Sequence, residues 1–163
     1  MGIQVGDRFP EATLRRVTRE GVRPVSTAEI LAGRRVVVFG VPGAFTPVCS
    51  DEHLPGFQLR AEELRRHGVE AIICVAVNDH YVMDAWGKAR GVGEEIVLLA
   101  DGNGELARAL GLELDLSAAG LGRRLRRFAA LVEDGVVRVL HVEPAKGVHV
   151  SSAEEMLRAL AGA

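Results

Sequence analysis

Thr46-Pro47-Val48-Cys49 sets a hydroxyl three residues before a thiol, with a proline between them. The spacing is that of a C-x-x-C redox motif with threonine in the first place. A hydroxyl there cannot close a disulfide, but it can hydrogen-bond a thiolate or an incoming peroxide oxygen. The pattern therefore suits reduction of a peroxide better than disulfide exchange. As a bare four-residue string it also reads as a buried cysteine beside a helix-breaking proline, so the surroundings must decide.

Those surroundings are informative. Cys49 follows a loop, residues 41–47, that carries two prolines and a glycine, and it opens a helical pattern. At a helix start, unpaired backbone N–H groups and the positive end of the helix dipole face the side chain. Both favour thiolate over thiol, and the thiolate is the nucleophile.

The elements that must hold this site can be read in outline. Residues 35–40 form a continuous apolar run, short enough for a buried strand. A helix is predicted from about residue 50 to 67, with Leu54, Phe57, Ala61 and Leu64 on one face. Pro55 lies inside it, so an irregular first turn is expected. Residues 69–77 and 96–100 read as further strands, separated by a helix that Asn78 or Asp79 caps and that runs to about residue 90. A turn at residues 101–104 leads to a short helix over 105–110. Residues 128–133 and 136–143 read as a hairpin about Asp134-Gly135. Ser26-Thr27-Ala28-Glu29 reads as a capping box, and Ser151 or Ser152 as the cap of a last helix. This order implies an α/β fold with a central mixed β-sheet flanked by helices, in one domain over residues 1–163. Functional loops then lie beyond the carboxyl ends of the strands, where residues 41–49 fall.

Composition excludes several classes. The chain has 163 residues, 48% of them apolar and 26% charged, with a formal net charge of −2. Neither nucleic acid nor an acidic membrane is indicated as a partner. The opening Met1-Gly2-Ile3-Gln4-Val5 does not resemble a signal peptide, and Gly6 argues against myristoylation. Two cysteines do not make a disulfide framework, so reducing cytoplasm is the expected compartment. His67, His80, His141 and His149 are scattered, and no metal site is expected. There is no G-x-S-x-G, and residues 101–104 lack the Lys-Ser/Thr of a phosphate-binding loop.

The string from Phe39 through Pro42 and Thr46 to Ser50, followed by His53-Leu54-Pro55-Gly56-Phe57, closely resembles the peroxiredoxins of the peroxiredoxin-5 (plant type II) subfamily. So do Val77-Asn78-Asp79, Trp86-Gly87, Leu98-Leu99-Ala100-Asp101, the run Arg123-Arg124-Leu125-Arg126-Arg127-Phe128, and Val142-Glu143-Pro144. The resemblance runs in order over almost the whole chain and implies a thioredoxin-like fold and thiol-dependent peroxidase activity. It further implies that Cys49 is the peroxidatic residue, oxidised to sulfenic acid, and that Thr46 positions the peroxide. Pro42 would shield the sulfur from water, and Arg127 would stabilise thiolate and transition-state charge. The Cys49 N–H would be a further donor. Arg124 is the residue most easily confused with Arg127, which stands two residues from Leu125 and immediately before an apolar strand. The family commonly forms homodimers and needs no metal, flavin or haem.

Two residues carry two readings each. His53, one helical turn after Cys49, is either a proton donor to the leaving oxygen or a packing histidine that closes the pocket by hydrogen bonds. Cys74 is either a buried small hydrophobe or the resolving thiol that relatives of the plant type carry at a similar spacing. The late cysteine of some animal relatives is missing, since the matching stretch reads Gly147-Val148-His149-Val150-Ser151-Ser152. Without a clear resolving cysteine, the expected reductant is external: glutathione with glutaredoxin first, thioredoxin or another small thiol second. Rival readings of the same site are a peroxide-sensing relay with low turnover and a chaperone-like assembly protein.

Overall fold

Three apolar runs lie side by side as parallel strands at the centre of the molecule, and the other elements are arranged about them. The computed structural model describes residues 2–18 and 20–162; Met1, on which part of the reading of the chain's opening falls, lies outside the described residues, as do Arg19 and Ala163.

The chain begins with a hairpin, β1 (Thr13–Thr18) and β2 (Gly21–Ser26), which the sequence pattern does not predict. Arg15, Arg16, Arg23 and Pro24 break any apolar alternation. The hairpin forms one margin of the sheet, where charge and proline are tolerated and discourage pairing with another chain. The Ser26 hydroxyl accepts from Ala28 N–H and caps α1 (Thr27–Leu31), as predicted.

β3 (Arg35–Val41) ends in the loop before Cys49. Then come α2 (Leu54–Arg66), β4 (Ala71–Ala76), α3 (His80–Ala89), β5 (Val97–Ala100) and α4 (Glu105–Leu110). A small two-stranded sheet of β6 (Glu113–Asp115) and β7 (Arg123–Leu125) stands apart and was also not foreseen, its strands being too short to show a period. β8 (Phe128–Glu133) and β9 (Val136–Val142) form the predicted hairpin. Asp134 and Gly135 both have positive φ, at 47° and 79°, as a two-residue hairpin turn requires. α5 (Ala153–Ala161) follows, capped by Ser152 rather than Ser151.

The main sheet has seven strands in the order β2-β1-β5-β4-β3-β8-β9. β3, β4 and β5 are parallel and the remaining pairings antiparallel, so the sheet is mixed, as expected. Alternate residues of each strand face opposite layers. Val37, Phe39, Ile72, Cys74, Ala129 and Leu131 pack with Cys49 and with α2, α3 and α5. Val36, Val38, Ile73, Val75, Phe128 and Ala130 pack on the other face with α1 and α4.

The expected irregularity near Pro55 takes a specific form. Helical turns begin at Pro47, and Cys49–His53 is a π turn in which Leu54 N–H bonds back to Cys49 C=O. A proline at position 55 has no N–H to offer, and its ring would clash with the carbonyl four residues earlier in a regular helix. The wider turn relieves that conflict, and such turns are frequent at functional sites.

Candidate active site

The site is built from β3 outward. Val41 ends the strand, half-buried Pro42 follows, and residues 43–46 turn back to start the helix. Three bonds fix that turn. Ala44 N–H donates to Asn78 Oδ1 at 2.9 Å, and Ser50 N–H to Thr46 C=O at 3.0 Å. The Thr46 hydroxyl donates to Gly43 C=O at 2.6 Å. Its proton is thereby committed, which leaves the oxygen only lone pairs to offer a further partner. Asn78 was expected only as a candidate helix cap; Asp79 takes the cap, through Val82 N–H, and Asn78 is left to hold the loop. Phe45 sits at the turn with φ of 67°, a strained conformation for a non-glycine residue, and is 53% exposed.

Cys49 is fully buried in the layer beneath α2, and among the described residues its N–H has no backbone acceptor, as expected in a first helical turn. Arg127 reaches it from the residue before β8. One guanidinium nitrogen, Nη2, donates to Cys49 Sγ at 3.1 Å, and Nη1 donates to His53 Nδ1 at 3.0 Å. Arg127 is 7% exposed. Its direction follows from the strand it precedes: Arg127 has the parity of Ala129 and Leu131, which face the Cys49 layer. Its spacing from Leu125 is not the reason, since Leu125 packs on the opposite face. Arg124 lies against the loop at Gly43 rather than at the sulfur, its Nη1 donating to Val77 C=O at 3.2 Å and its Nε to Leu121 C=O.

His53 Nε2–H donates to Ser151 C=O at 2.8 Å. A carbonyl can only accept, so Nε2 carries the proton and Nδ1 is free to accept from Arg127. The ring packs tilted against the stacked pair of Phe39 and Phe57, with centroids at 4.9 Å and 5.5 Å. Burial and the adjacent Arg127 charge push its pKa down to about 3, against the pull of Ser151 and Glu143. His53 is therefore neutral at physiological pH and holds the guanidinium by a lone pair.

Cys74 lies mid-strand in β4, hydrogen-bonded on both sides, and faces the same layer as Cys49. Burial, with the nearby Cys49 adding to it, pushes its thiol well above the ordinary range despite the Arg127 charge. The bond from the indole of Trp86 to the Ser50 hydroxyl, at 2.9 Å, ties α3 to the residue after Cys49.

Sequence reasoning assigned no role to Glu143 or Gly40. Glu143 is buried, and its Oε2 accepts from the N–H groups of His149, Val150 and Ser151 and from the Ser151 hydroxyl. The available signal was a lone carboxylate ending an apolar strand before Pro144. Gly40 pairs with Phe128, and a Cβ there would stand 2.3 Å from the Phe128 ring. Among the described residues no group of three or more His, Cys, Asp or Glu is placed to hold a metal ion, and no helix is long and apolar enough to cross a membrane.

The arrangement holds the Cys49 sulfur, in the first helical turn, against a fixed guanidinium 3.1 Å away. Preorganised donors of this kind stabilise negative charge that develops on a departing oxygen.

Comparison with known proteins points the same way. The family model for Redoxin matches residues 4–157. Peroxiredoxin-2E-2, chloroplastic, of Oryza sativa subsp. japonica is 54% identical over 163 residues, covering 97% of this chain and 72% of the relative. Peroxiredoxin-2C of Arabidopsis thaliana is 48% identical over 159 residues, covering 97% of this chain and 98% of the relative. The crystal structure of reduced Prx3 from Vibrio vulnificus in complex with H2O2 superposes with a TM-score of 0.92 at 46% identity, covering 97% of this chain and 99% of that one.

Proposed function

The chain belongs to the redoxin family, as a type II peroxiredoxin of thioredoxin-like fold and hence a thiol-dependent peroxidase, and on that premise we propose that Cys49 is the sulfur that attacks the peroxide. The Arg127 guanidinium 3.1 Å from that sulfur is the observation that carries the reading.

In the first half of the cycle the Cys49 thiolate attacks one peroxide oxygen and the O–O bond breaks. The sulfur becomes sulfenic acid, and the electron pair leaves on the second oxygen, which takes a proton to depart as water or an alcohol. Arg127 stabilises the attacking sulfur and the charge that spreads over the oxygens. Thr46 accepts from the peroxide O–H through the oxygen left free by its bond to Gly43, and Pro42 walls the pocket. His53 serves by holding Arg127; a ring this hard to protonate is a poor proton donor, which favours the packing role over the acid. Substrates are hydrogen peroxide and small organic hydroperoxides, since the sulfur is fully buried.

In the second half an outside thiol attacks the sulfenic sulfur, and a further thiol reduces the mixed disulfide. Glutathione with glutaredoxin is the first candidate, thioredoxin or another small thiol the second. The buried, protonated Cys74 supports this external route, because a thiol must ionise to attack. Exposed Phe45, in the loop before Cys49, and exposed Tyr81, on α3, offer apolar surface for a homodimer.

The test is the mass of reduced protein after one equivalent of hydrogen peroxide with a sulfenic-acid trap present. A trapped adduct on Cys49 supports the reading; loss of two hydrogens with a Cys49–Cys74 link replaces the external route by an internal one. Unreacted Cys49 refutes the peroxidatic assignment.

A further inference from the structure

Arg127, Glu143, Ser151 and His53 form a closed ring of hydrogen bonds. The Arg127 carbonyl accepts from Glu143 N–H at 3.0 Å, and Glu143 Oε2 accepts from Ser151 N–H at 2.8 Å. The Ser151 carbonyl accepts from His53 Nε2–H at 2.8 Å, and His53 Nδ1 accepts from Arg127 Nη1 at 3.0 Å. The ring therefore begins at the backbone of Arg127 and returns to its guanidinium. Its members come from four separate segments: the residue before β8, the end of β9, the approach to α5, and the π turn. All four are buried.

We propose that Glu143 and His53 are positioning residues for the peroxide reaction, Glu143 fixing the turn at Ser151 and His53 locking the Arg127 guanidinium onto the Cys49 sulfur. This rests on the reading of Cys49 as the peroxidatic residue. An arginine side chain has several rotatable bonds, and its backbone alone does not fix where the fork ends. Here the fork is set from both ends. Glu143 binds the Arg127 main chain directly and its side chain through two intermediaries, so the distance between them cannot drift.

Glu143 is otherwise hard to account for. Burial opposes its charge, yet the Ser151 hydroxyl and three N–H donors outweigh it and hold the carboxyl below its ordinary range. All four donors converge on Oε2, while Oε1 is buried without a partner. Leaving a buried polar atom unpaired is unfavourable, and such an atom in a native structure calls for a reason. The reason is that a single oxygen gathers residues 149–151 into one shape, which aims the Ser151 carbonyl at His53. His53 in turn must offer a lone pair on one nitrogen and a proton on the other. Glutamine can reproduce that pair with its amide; leucine cannot.

The experiment compares the wild type with His53→Leu, His53→Gln, Glu143→Gln and the His53→Leu/Glu143→Gln double variant. The rate constant for Cys49 oxidation by hydrogen peroxide is measured together with the melting temperature. His53→Leu is expected to slow oxidation by about tenfold or more, since small misplacement of a catalytic group has effects of that size. His53→Gln should recover most of the rate. Glu143→Gln should slow it about threefold alone and add nothing in the His53→Leu background, because residues acting through one route are non-additive. An unchanged rate in His53→Leu, a His53→Gln as slow as His53→Leu at equal melting temperature, or additive effects in the double variant would each overturn the proposal. Should His53→Leu fail to fold, His53→Asn, too short to span both partners, replaces it with the same expectations. If wild-type Cys49 itself does not react, the peroxidatic reading falls; if it reacts and the variants match it, only the positioning roles fall.

Discussion

Arg127 and Cys49 are 78 residues apart in the chain, yet one guanidinium nitrogen lies 3.1 Å from the sulfur while the other is 3.0 Å from His53. The two bonds use the planar fork of arginine, which an ammonium cannot imitate. Arg127→Lys keeps the charge but satisfies one partner at most. It is expected to slow Cys49 oxidation by about 10²-fold, the scale for loss of a preorganised donor. Stopped-flow oxidation with hydrogen peroxide checks this. A lysine variant as fast as the wild type would mean that charge, not geometry, is what the site requires.

Thr46 is expected to act through its oxygen. Thr46→Val should reduce the peroxide rate by about 10- to 10²-fold, in the range for single polar groups at the reacting centre. It also loses the bond to Gly43, worth about 1 kcal/mol. Thr46→Ser should retain most of the rate. Steady-state kinetics and thermal melts on both variants separate the two effects, and a serine variant as slow as valine would assign the role to the methyl group.

Cys74 is expected to be a spectator. Cys74→Ala should leave peroxide turnover with glutathione and glutaredoxin within about twofold while lowering stability by about 1 kcal/mol, the scale for removing one buried heavy atom. Both sulfurs are fully buried, but in the native protein an alkylating reagent should modify Cys49, in the first helical turn, well before Cys74, whose thiol is held protonated in mid-strand. A collapse of turnover in Cys74→Ala would make it the resolving thiol.

Acid stability should report on His53. The unfolded chain takes up a proton near the ordinary value of 6.5, whereas the folded protein resists it down to about 3. Stability is therefore level above about pH 6.5 and falls as pH drops toward 3, by at most about 1.4 kcal/mol per pH unit from this residue. Glu143, held low in the fold, adds to the loss only below the ordinary carboxylate range, whereas Asp101, held high by burial, opposes it just above that range. Urea melts between pH 5 and 6.5 isolate the histidine. His53→Gln should flatten the slope in that window; an unaltered slope would place the proton uptake elsewhere.

Gly40 is expected to be intolerant of a side chain. A Cβ would meet Phe128 at 2.3 Å and Leu125 at 2.6 Å, in a strand that cannot move without its neighbours. Gly40→Ala should cost about 3 kcal/mol by overpacking. Because Phe128 is the next residue after Arg127, the peroxide rate should drop with it. Denaturant midpoints and oxidation rates together test this, and a neutral alanine would show that the Phe128 ring has room to shift.

Apart from the small β6–β7 sheet, the order of elements was legible from Arg35 onward because buried strands are short apolar runs and the helices carry one apolar face. The first hairpin was not, since its residues are half-exposed and its pairing is with β5, far along the chain. Cys49, Thr46 and the arginine run stood out as residue types at telling spacings. What the sequence could not show was which arginine turns inward: that depends on the parity of Arg127 with Ala129, across a break between two sheets. Glu143 was invisible for a similar reason, because its partners are donated by backbone groups that carry no mark in the sequence.

The complete burial of Cys49 divides the proposed cycle in time. Peroxide is small enough to reach the sulfur while the first helical turn is closed; a thiol carried on a protein is not. Reduction by such a partner must wait for the turn to open. The π turn is the natural place, being wound more loosely than the helix it begins and ending beside a proline that gives it no bond. Until it opens, the oxidised sulfur is sheltered from its rescuer but stands as accessible to a second peroxide as it was to the first. Further oxidation of the sulfur then competes with opening, and irreversible loss grows with the product of peroxide concentration and closed-state lifetime. On that reading, the dose at which the protein fails depends on the dwell time of one helical turn as much as on the reactivity of its sulfur.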